Sequence, residues 1–453
     1  MILKSIYTYF YQQIQIFKMI QELKVSNYLS FKEEVTFSFE ATKDTSFENH
    51  QVVQVAPDVR LLRFALIYGA NASGKSNLLS VFDYLCDFWF DIKKDISERT
   101  NVVPFKLDKN TPNQSSFFSL KFYVGGKKYW YQLELGKTKV VSEKLFFYNS
   151  VQPTMLFERS LNKNISVIVF NTAVIKIGSI AKEEISIKCL PNMSFFAARN
   201  QVNVSLPIID EAIEWMKSGI MRIISPKMNL FNFAEEKIQE DAKLKKHILD
   251  FVRESDFNIT DIETKIIDRD VPQDVLEFIM NSESFPQDEK DRILEEKKYS
   301  QIKTDFEHTV TNERGLEKYY LAPRFQSNGT HHIMGLESAI YKALENNSLL
   351  AIDEIEFSLH PLLLIFVLKK FLEQKDNQAQ LLVTTHYDLL LNEIGELFRT
   401  DSVWFTEKSE SGATRLYSLT EFSGLKRIAS LQKAYRQGKF GGIPKIINTI
   451  PNP

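Results

Sequence analysis

The 453-residue chain is 44% hydrophobic and 25% charged, with 35 Phe and 17 Tyr, which is enough apolar material for two to three globular units or one large domain with insertions. A formal net charge of -2 argues against a global basic field for nucleic acid. The two cysteines, Cys86 and Cys189, stand in apolar surroundings without ligand spacing, which excludes a disulfide framework and fits reduced thiols of a cytoplasmic protein. No stretch has the length and apolarity of a membrane span.

Residues 1–18 are rich in Ile, Tyr and Phe but are interrupted by Lys4, Gln12, Gln13 and Gln15, and no small-residue cleavage site follows. They read as an appendage outside the fold, with a start at Met19 as one explanation and a peripheral membrane or partner helix as the sharper one. From Met19 to residue 193 the pattern is mostly strands and reads as a first lobe. Ile20 to Tyr28 and Val35 to Phe39 alternate, and Phe118 to Val124 and Tyr129 to Leu135 flank Gly125-Gly126 as a hairpin. Val140 to Tyr148 and Ser166 to Phe170 continue the strand character. Lysines 121, 127, 128, 137, 139 and 144 read as the solvated face of this sheet.

Inside the first lobe, the apolar run Phe64 to Tyr68 feeds Gly69-Ala70-Asn71-Ala72-Ser73-Gly74-Lys75-Ser76, and apolar residues at helical spacing follow from Asn77 to Leu85. Strand, G-x-x-x-x-G-K-S loop and helix stand in the order a phosphate cradle requires. Glycines let backbone N–H groups turn inward, and the helix N-terminus adds partial positive charge. Lys75 reaches the outer phosphates and the Ser76 hydroxyl can ligate magnesium. Gly69, Asn71, Ala72, Ser73, Gly74, Lys75, Ser76 and Asn77 are therefore the expected nucleotide-binding residues.

Residues 194–313 read as a helical insertion. Ala242, Leu244, Ile248, Leu249, Phe251 and Val252 form an apolar stripe, and a second, charged helix is expected over 288–297. Neither sustains the heptads of a long coiled coil. Residues 314–453 return to an α/β pattern and read as a second lobe. Leu349 to Ile352 is a buried-strand run ending in Asp353-Glu354, and Gln380 to Thr385 is another ending in His386. The phosphate loop and the carboxylates are about 280 residues apart, so the nucleotide fold is split.

The second lobe carries the remaining chemistry. Asp353 at a strand end is placed to hold magnesium, and Glu354 to orient and deprotonate the attacking water. His386, at the end of the next strand, is expected to contact the γ-phosphate or position its water. Ser327 and Gly329, before the periodic helix through Ile333 and Leu344, form a further anion-binding candidate. His331 and His332 do not share a helix face and have no acidic or cysteine partners at ligand spacing, so no metal centre is expected there.

With these motifs in place, the chain resembles ABC-type ATPases of the SMC and RecF group, whose signature segment covers the γ-phosphate bound by a second subunit. Here the signature core is reduced to Ser327-x-Gly329-Thr330, and the glutamine that usually follows the first lobe has no evident counterpart. The segments Val25 to Phe31, Asp353 to Pro361, Ala379 to His386 and Tyr435 to Pro444 resemble the bacterial AAA15/AAA21-type ATPases, which are similar to the ATPase half of overcoming-lysogenisation-defect nucleases. That likeness covers about Met19 to Pro444.

The resemblance implies an α/β fold, a split ABC-type P-loop ATPase head, with ATP and magnesium bound and a homodimer or higher homo-oligomer formed through the nucleotide site. Ser358, Leu359 and His360 match the segment that crosses such an interface. It further implies a sensor or scaffold in anti-phage defence, acting with a phage trigger protein on a separately encoded effector such as a nuclease. No second acidic cluster suits a Toprim nuclease within the chain. The alternative is a RecF-like repair ATPase acting directly on DNA through Lys426, Arg427, Lys433, Arg436 and Lys439; a third reading is a switch that closes on ATP without useful turnover. Asp353, Glu354 and His386 together argue against the third.

Overall fold

In the computed structural model of the chain, residues 18–255, 257–282, 287, 290, 291, 293 and 298–444 are described. The expected appendage, apart from Lys18, and most of the charged helix expected over 288–297 lie outside them. Two compact units result, one holding the chain up to Pro226, Ala343–Phe357 and the chain from Leu364, the other Lys227–Lys342 with Ser358–Leu363. No helix among the described residues is long and apolar enough to cross a membrane.

The first unit contains β1 (Lys18–Ser26), β2 (Val35–Ser38), β3 (Val52–Ala56), β4 (Val59–Leu62), β5 (Phe64–Gly69), β6 (Ser116–Val124), β7 (Lys127–Leu135), β8 (Val140–Tyr148), β9 (Pro153–Asn162) and β10 (Ile165–Phe170). Later in the chain it adds β14 (Leu349–Ile352), β15 (Gln380–Thr385), β16 (Val403–Lys408) and β17 (Thr414–Ser418). Seven strands form an antiparallel sheet in the order β10-β9-β8-β7-β6-β1-β2. The β6–β7 turn is the expected Gly125-Gly126 pair, both residues at positive φ (+57° and +79°), as a two-residue hairpin matching strand twist requires. Three of the lysines expected on a solvated face make surface ion pairs, Lys121 with Glu22, Lys127 with Glu211 and Lys144 with Glu158.

A second sheet runs β14-β15-β5-β16-β17, its first four strands parallel and β17 antiparallel. All six residues of β5 are buried, as a central strand covered on both faces demands. The helix Lys75–Phe90 lies between the sheets: Leu78, Leu79, Val81, Phe82, Leu85 and Trp89 share one core with Phe118, Leu120 and Tyr131 of the antiparallel sheet and with Ala65, Ile67, Ala351 and Leu382 of the parallel one. Burying each such side chain contributes roughly 1.5–3 kcal/mol, so the helix start, and with it the phosphate loop, is fixed to both sheets. The P-loop fold is split as expected, because β5 comes from the first part of the chain and its neighbours from the last.

The second unit combines helices with a three-stranded antiparallel sheet of β11 (Asp261–Asp270), β12 (Lys298–Asn312) and β13 (Gly315–Leu321). The helix Ala242–Glu254 buries Leu244, Ile248, Leu249, Phe251 and Val252 of the expected stripe, whereas Ala242, at its first position, is exposed. The stretch 194–313 is therefore not helical throughout: β11 and β12 fall inside it. Their alternation is weak because β11 buries only Ile262 and leaves its far half to solvent, so charged residues dominate the pattern.

Candidate functional site

The turn from β5 into the helix Lys75–Phe90 needs two left-handed residues, Ala72 at φ +59° and Gly74 at φ +112°. At Gly74 a Cβ would also lie 2.3 Å from Thr414 Oγ1, so only glycine fits. The loop is held from distant parts of the chain. Thr414 on β17 donates its hydroxyl to the Ser73 carbonyl (2.7 Å) and lies 2.8 Å from Ser30 Oγ, which also accepts from Asn77 Nδ2 (2.7 Å). Ser73 Oγ and Thr406 Oγ1 on β16 are 2.6 Å apart, both buried.

A cleft of about 320 Å³ opens over this loop, walled by residues 71–77 together with Glu354, His386 and Lys408. Lys75 is 5% exposed, and its ammonium donates to the carbonyls of Gly69 (2.9 Å) and Ala70 (3.3 Å) and lies 3.1 Å from His386 Nε2. Burial lowers its pKa to about 8, opposed by the carboxylates of Asp353, Glu354 and Glu356. Ser76 stands exposed at the helix start.

Strand β14 delivers the carboxylates. Asp353 Oδ1 accepts from the Thr384 hydroxyl (2.5 Å), and Glu354 N–H donates to the same hydroxyl (2.9 Å). Glu354 is left-handed (φ +51°), an uncommon backbone state for a non-glycine residue that the Thr384 contact holds in place. Its Oε1 lies 3.4 Å from His386 Nε2. The backbone N–H of His386 donates to Glu356 Oε1 (2.6 Å). The donor set suits a magnesium ion: the Ser76 hydroxyl is open to the cleft, and Asp353, one oxygen of which is oriented by Thr384, supplies a carboxylate beside it.

Lys75, Ser76, Glu354 and His386 are thus gathered in one cleft, and Asp353 is joined to it through Thr384. Gly69, Asn71, Ala72, Ser73 and Gly74 shape the loop, whereas the Asn77 amide is engaged with Ser30. Ser327 and Gly329 belong to the other unit, where the Ser327 hydroxyl accepts the Thr330 N–H (3.0 Å) at the start of the helix Asn328–Asn346. A Cβ on Gly329 would lie 3.2 Å from the Ser358 carbonyl, bringing two motif segments together within that unit. His331 stacks on Phe231 with ring centroids 4.3 Å apart. Of the basic residues considered for DNA, Arg436 forms an ion pair with Asp388.

Several contributors carry no sequence motif. Lys408 reaches the cleft from the end of β16, and Thr406 and Thr414 support the loop from more than 300 residues away. The segment after Gly219 pairs parallel to β14 (Ile220 with Leu349, Ile224 with Ile352), and Asp353 N–H donates to the Ile224 carbonyl (2.8 Å).

Comparison with known proteins gives one family model, described as "AAA domain, putative AbiEii toxin, Type IV TA system", which matches residues 64–175 and 225–392. No curated protein matches. Among solved structures, the SMC head domain from Thermotoga maritima is 12% identical over 88% of this chain and 98% of that one (TM-score 0.37). An SmcHead bound to the C-winged helix domain of ScpA is 12% identical over 92% and 99% (TM-score 0.42). An Smc head with an extended coiled coil, bound to the C-terminal domain of ScpA from Pyrococcus furiosus, is 13% identical over 93% and 98% (TM-score 0.38).

Proposed function

The chain belongs to the AAA_21 family of AAA-domain ATPases, and from that premise we propose that it binds ATP with magnesium, hydrolyses it, and uses the cycle to open and close an assembly of its own copies. The observation that supports this best is the single cleft that gathers Lys75, Ser76, Glu354 and His386. In this reading the unit that holds the chain up to Pro226, Ala343–Phe357 and the chain from Leu364 is an ABC-type head.

The loop N–H groups and Lys75 hold the phosphates. Ser76 and Asp353 hold magnesium, which neutralises phosphate charge when bound. Glu354 takes the proton of the attacking water, and His386 orients that water against the terminal phosphate. Ser327 and Gly329 of a second copy cover the phosphates from the other side. At the cellular level the resemblance favours a sensor or scaffold that controls a separate effector in anti-phage defence.

Light-scattering mass with magnesium-ATP, measured alongside phosphate release, tests the reading. ATP-driven association with steady phosphate release is the expected result; neither association nor release would sink it.

Two further outcomes are expected. Thr414→Val removes the hydroxyl on the Ser73 carbonyl and leaves that acceptor unpaired, so KM for ATP should rise about tenfold with kcat less affected. An unchanged KM would show that the loop needs no support from β17.

The second concerns pH. Phosphates beside the Lys75 ammonium favour its charged form, so its pKa is higher in the complex than the value of about 8 in the free protein. ATP affinity is therefore full below pH 8 and declines as pH rises above it. A titration of the dissociation constant from pH 6.5 to about 9.5 checks this, and a flat profile contradicts it.

A further inference from the structure

One element near the end of the described chain has no part in the chemistry above, yet it touches both halves of the cleft's framework. After β15 the chain leaves the sheet, so His386 stands on a turn whose position depends on what grips its neighbours. On one side Glu356 accepts the backbone N–H of His386, and the Tyr68 hydroxyl donates to the Tyr387 carbonyl (3.3 Å). On the other, Asp388 receives Arg436 in a two-point ion pair, Nη2 to Oδ1 at 3.2 Å and Nε to Oδ2, with Gln432 Nε2 3.4 Å from Oδ2. A bidentate guanidinium–carboxylate pair fixes direction as well as distance.

Arg436 and Gln432 lie on the helix Leu431–Arg436, from which the chain folds back as a hook. The Tyr435 hydroxyl donates to the Gly442 carbonyl (2.9 Å) and the Tyr417 hydroxyl to the Phe440 carbonyl (2.8 Å). Gly441 and Gly442 are both left-handed (φ +64° and +65°), and a Cβ on Gly442 would lie 3.7 Å from Gly69 Cα, the first glycine of the phosphate loop. The Tyr435 ring packs against that of Tyr68, the residue before Gly69, with centroids 5.5 Å apart.

We propose that the hook 431–444 is a positioning element for hydrolysis, which holds the turn bearing His386 through Arg436 and Asp388 while its backbone rests against Gly69. This rests on the ATPase reading. Arg436 acts through His386 and touches no reacting atom, so misplacing the imidazole should lower turnover and leave nucleotide binding nearly intact.

The test uses the full chain with Arg436→Ala, Asp388→Ala and the exchange of the two charges, Arg436→Asp with Asp388→Arg. Each single variant is expected to lose about tenfold in kcat with KM for ATP within about twofold, and the exchange to recover most of the loss. The melting temperature of Arg436→Ala should stay close to wild type because the Arg436 side chain is largely exposed, so a lower kcat there does not report a loss of fold. Tyr435→Phe, which frees the Gly442 carbonyl without touching the pair, should lower kcat in the same direction. Single variants with wild-type kcat, or losses that the exchange leaves unrepaired, overturn the proposal. If the wild type itself does not hydrolyse ATP, the ATPase reading falls and the proposal with it; an active wild type with unaltered variants removes the proposal alone.

Discussion

Glu354→Gln is expected to lower the rate of phosphate release by about a hundred- to ten-thousandfold while ATP affinity stays within about threefold of wild type. Glutamine keeps the size, the hydrogen-bonding oxygen and the backbone contact to Thr384, so the left-handed turn at residue 354 is undisturbed. It removes only the capacity to accept a proton. His386, whose Nε2 lies 3.4 Å from the Glu354 carboxylate and 3.1 Å from the Lys75 ammonium, remains in place. Single-turnover phosphate release read against nucleotide affinity separates the two steps. Turnover at the wild-type rate would remove Glu354 from the reaction. Blocked turnover with retained binding should also trap the ATP-bound assembly, so the variant's light-scattering mass in ATP should persist after wild type has dissociated.

The parts of the site that were legible in the sequence are those where one short segment carries both the element and its chemistry. Phe64 to Ser76 is strand, turn and helix start in thirteen consecutive residues, and Asp353, Glu354 and His386 each follow a buried run that ends in the cleft. What escaped depends on pairing across the chain. Thr414 meets Ser73 over a separation of 341 residues and Thr406 meets it over 333, and a threonine in an ordinary strand gives no local sign of either contact. Strand β9 was not anticipated because polar residues such as Glu158 and Ser160 break up its apolar pattern. The sheet of the second unit was hidden in the same way: β13 is almost wholly exposed, so no buried face imposes alternation on Gly315 to Leu321. The hook's glycines stood out as a resemblance, but their reason lies in the left-handed backbone at Gly441 and Gly442 and in Tyr417, whose hydroxyl would lie 2.4 Å from a Cβ on Gly441.

Lys75→Ala should weaken ATP binding by about thirtyfold to a few thousandfold and abolish ATP-driven association. The size follows from where the charge sits. The side chain is 5% exposed and its charge is already partly destabilised by burial, its hydrogen bonds going to the carbonyls of Gly69 and Ala70, so a phosphate arriving in the cleft gains a partly desolvated cation. Alanine leaves the left-handed turn at Gly74 and the Thr414 and Thr406 contacts in place, so the loop keeps its shape and the loss reports the charge. Fluorescent-nucleotide titration across pH supplies the decisive comparison. Wild type should lose affinity above pH 8 as Lys75 gives up its proton, and Lys75→Ala should be uniformly weak, with no such decline. Wild-type affinity in the variant would move the nucleotide to another cleft. A decline above pH 8 that survives the substitution would assign the titration to another group, leaving Lys75 as a support of the loop through its two carbonyl contacts.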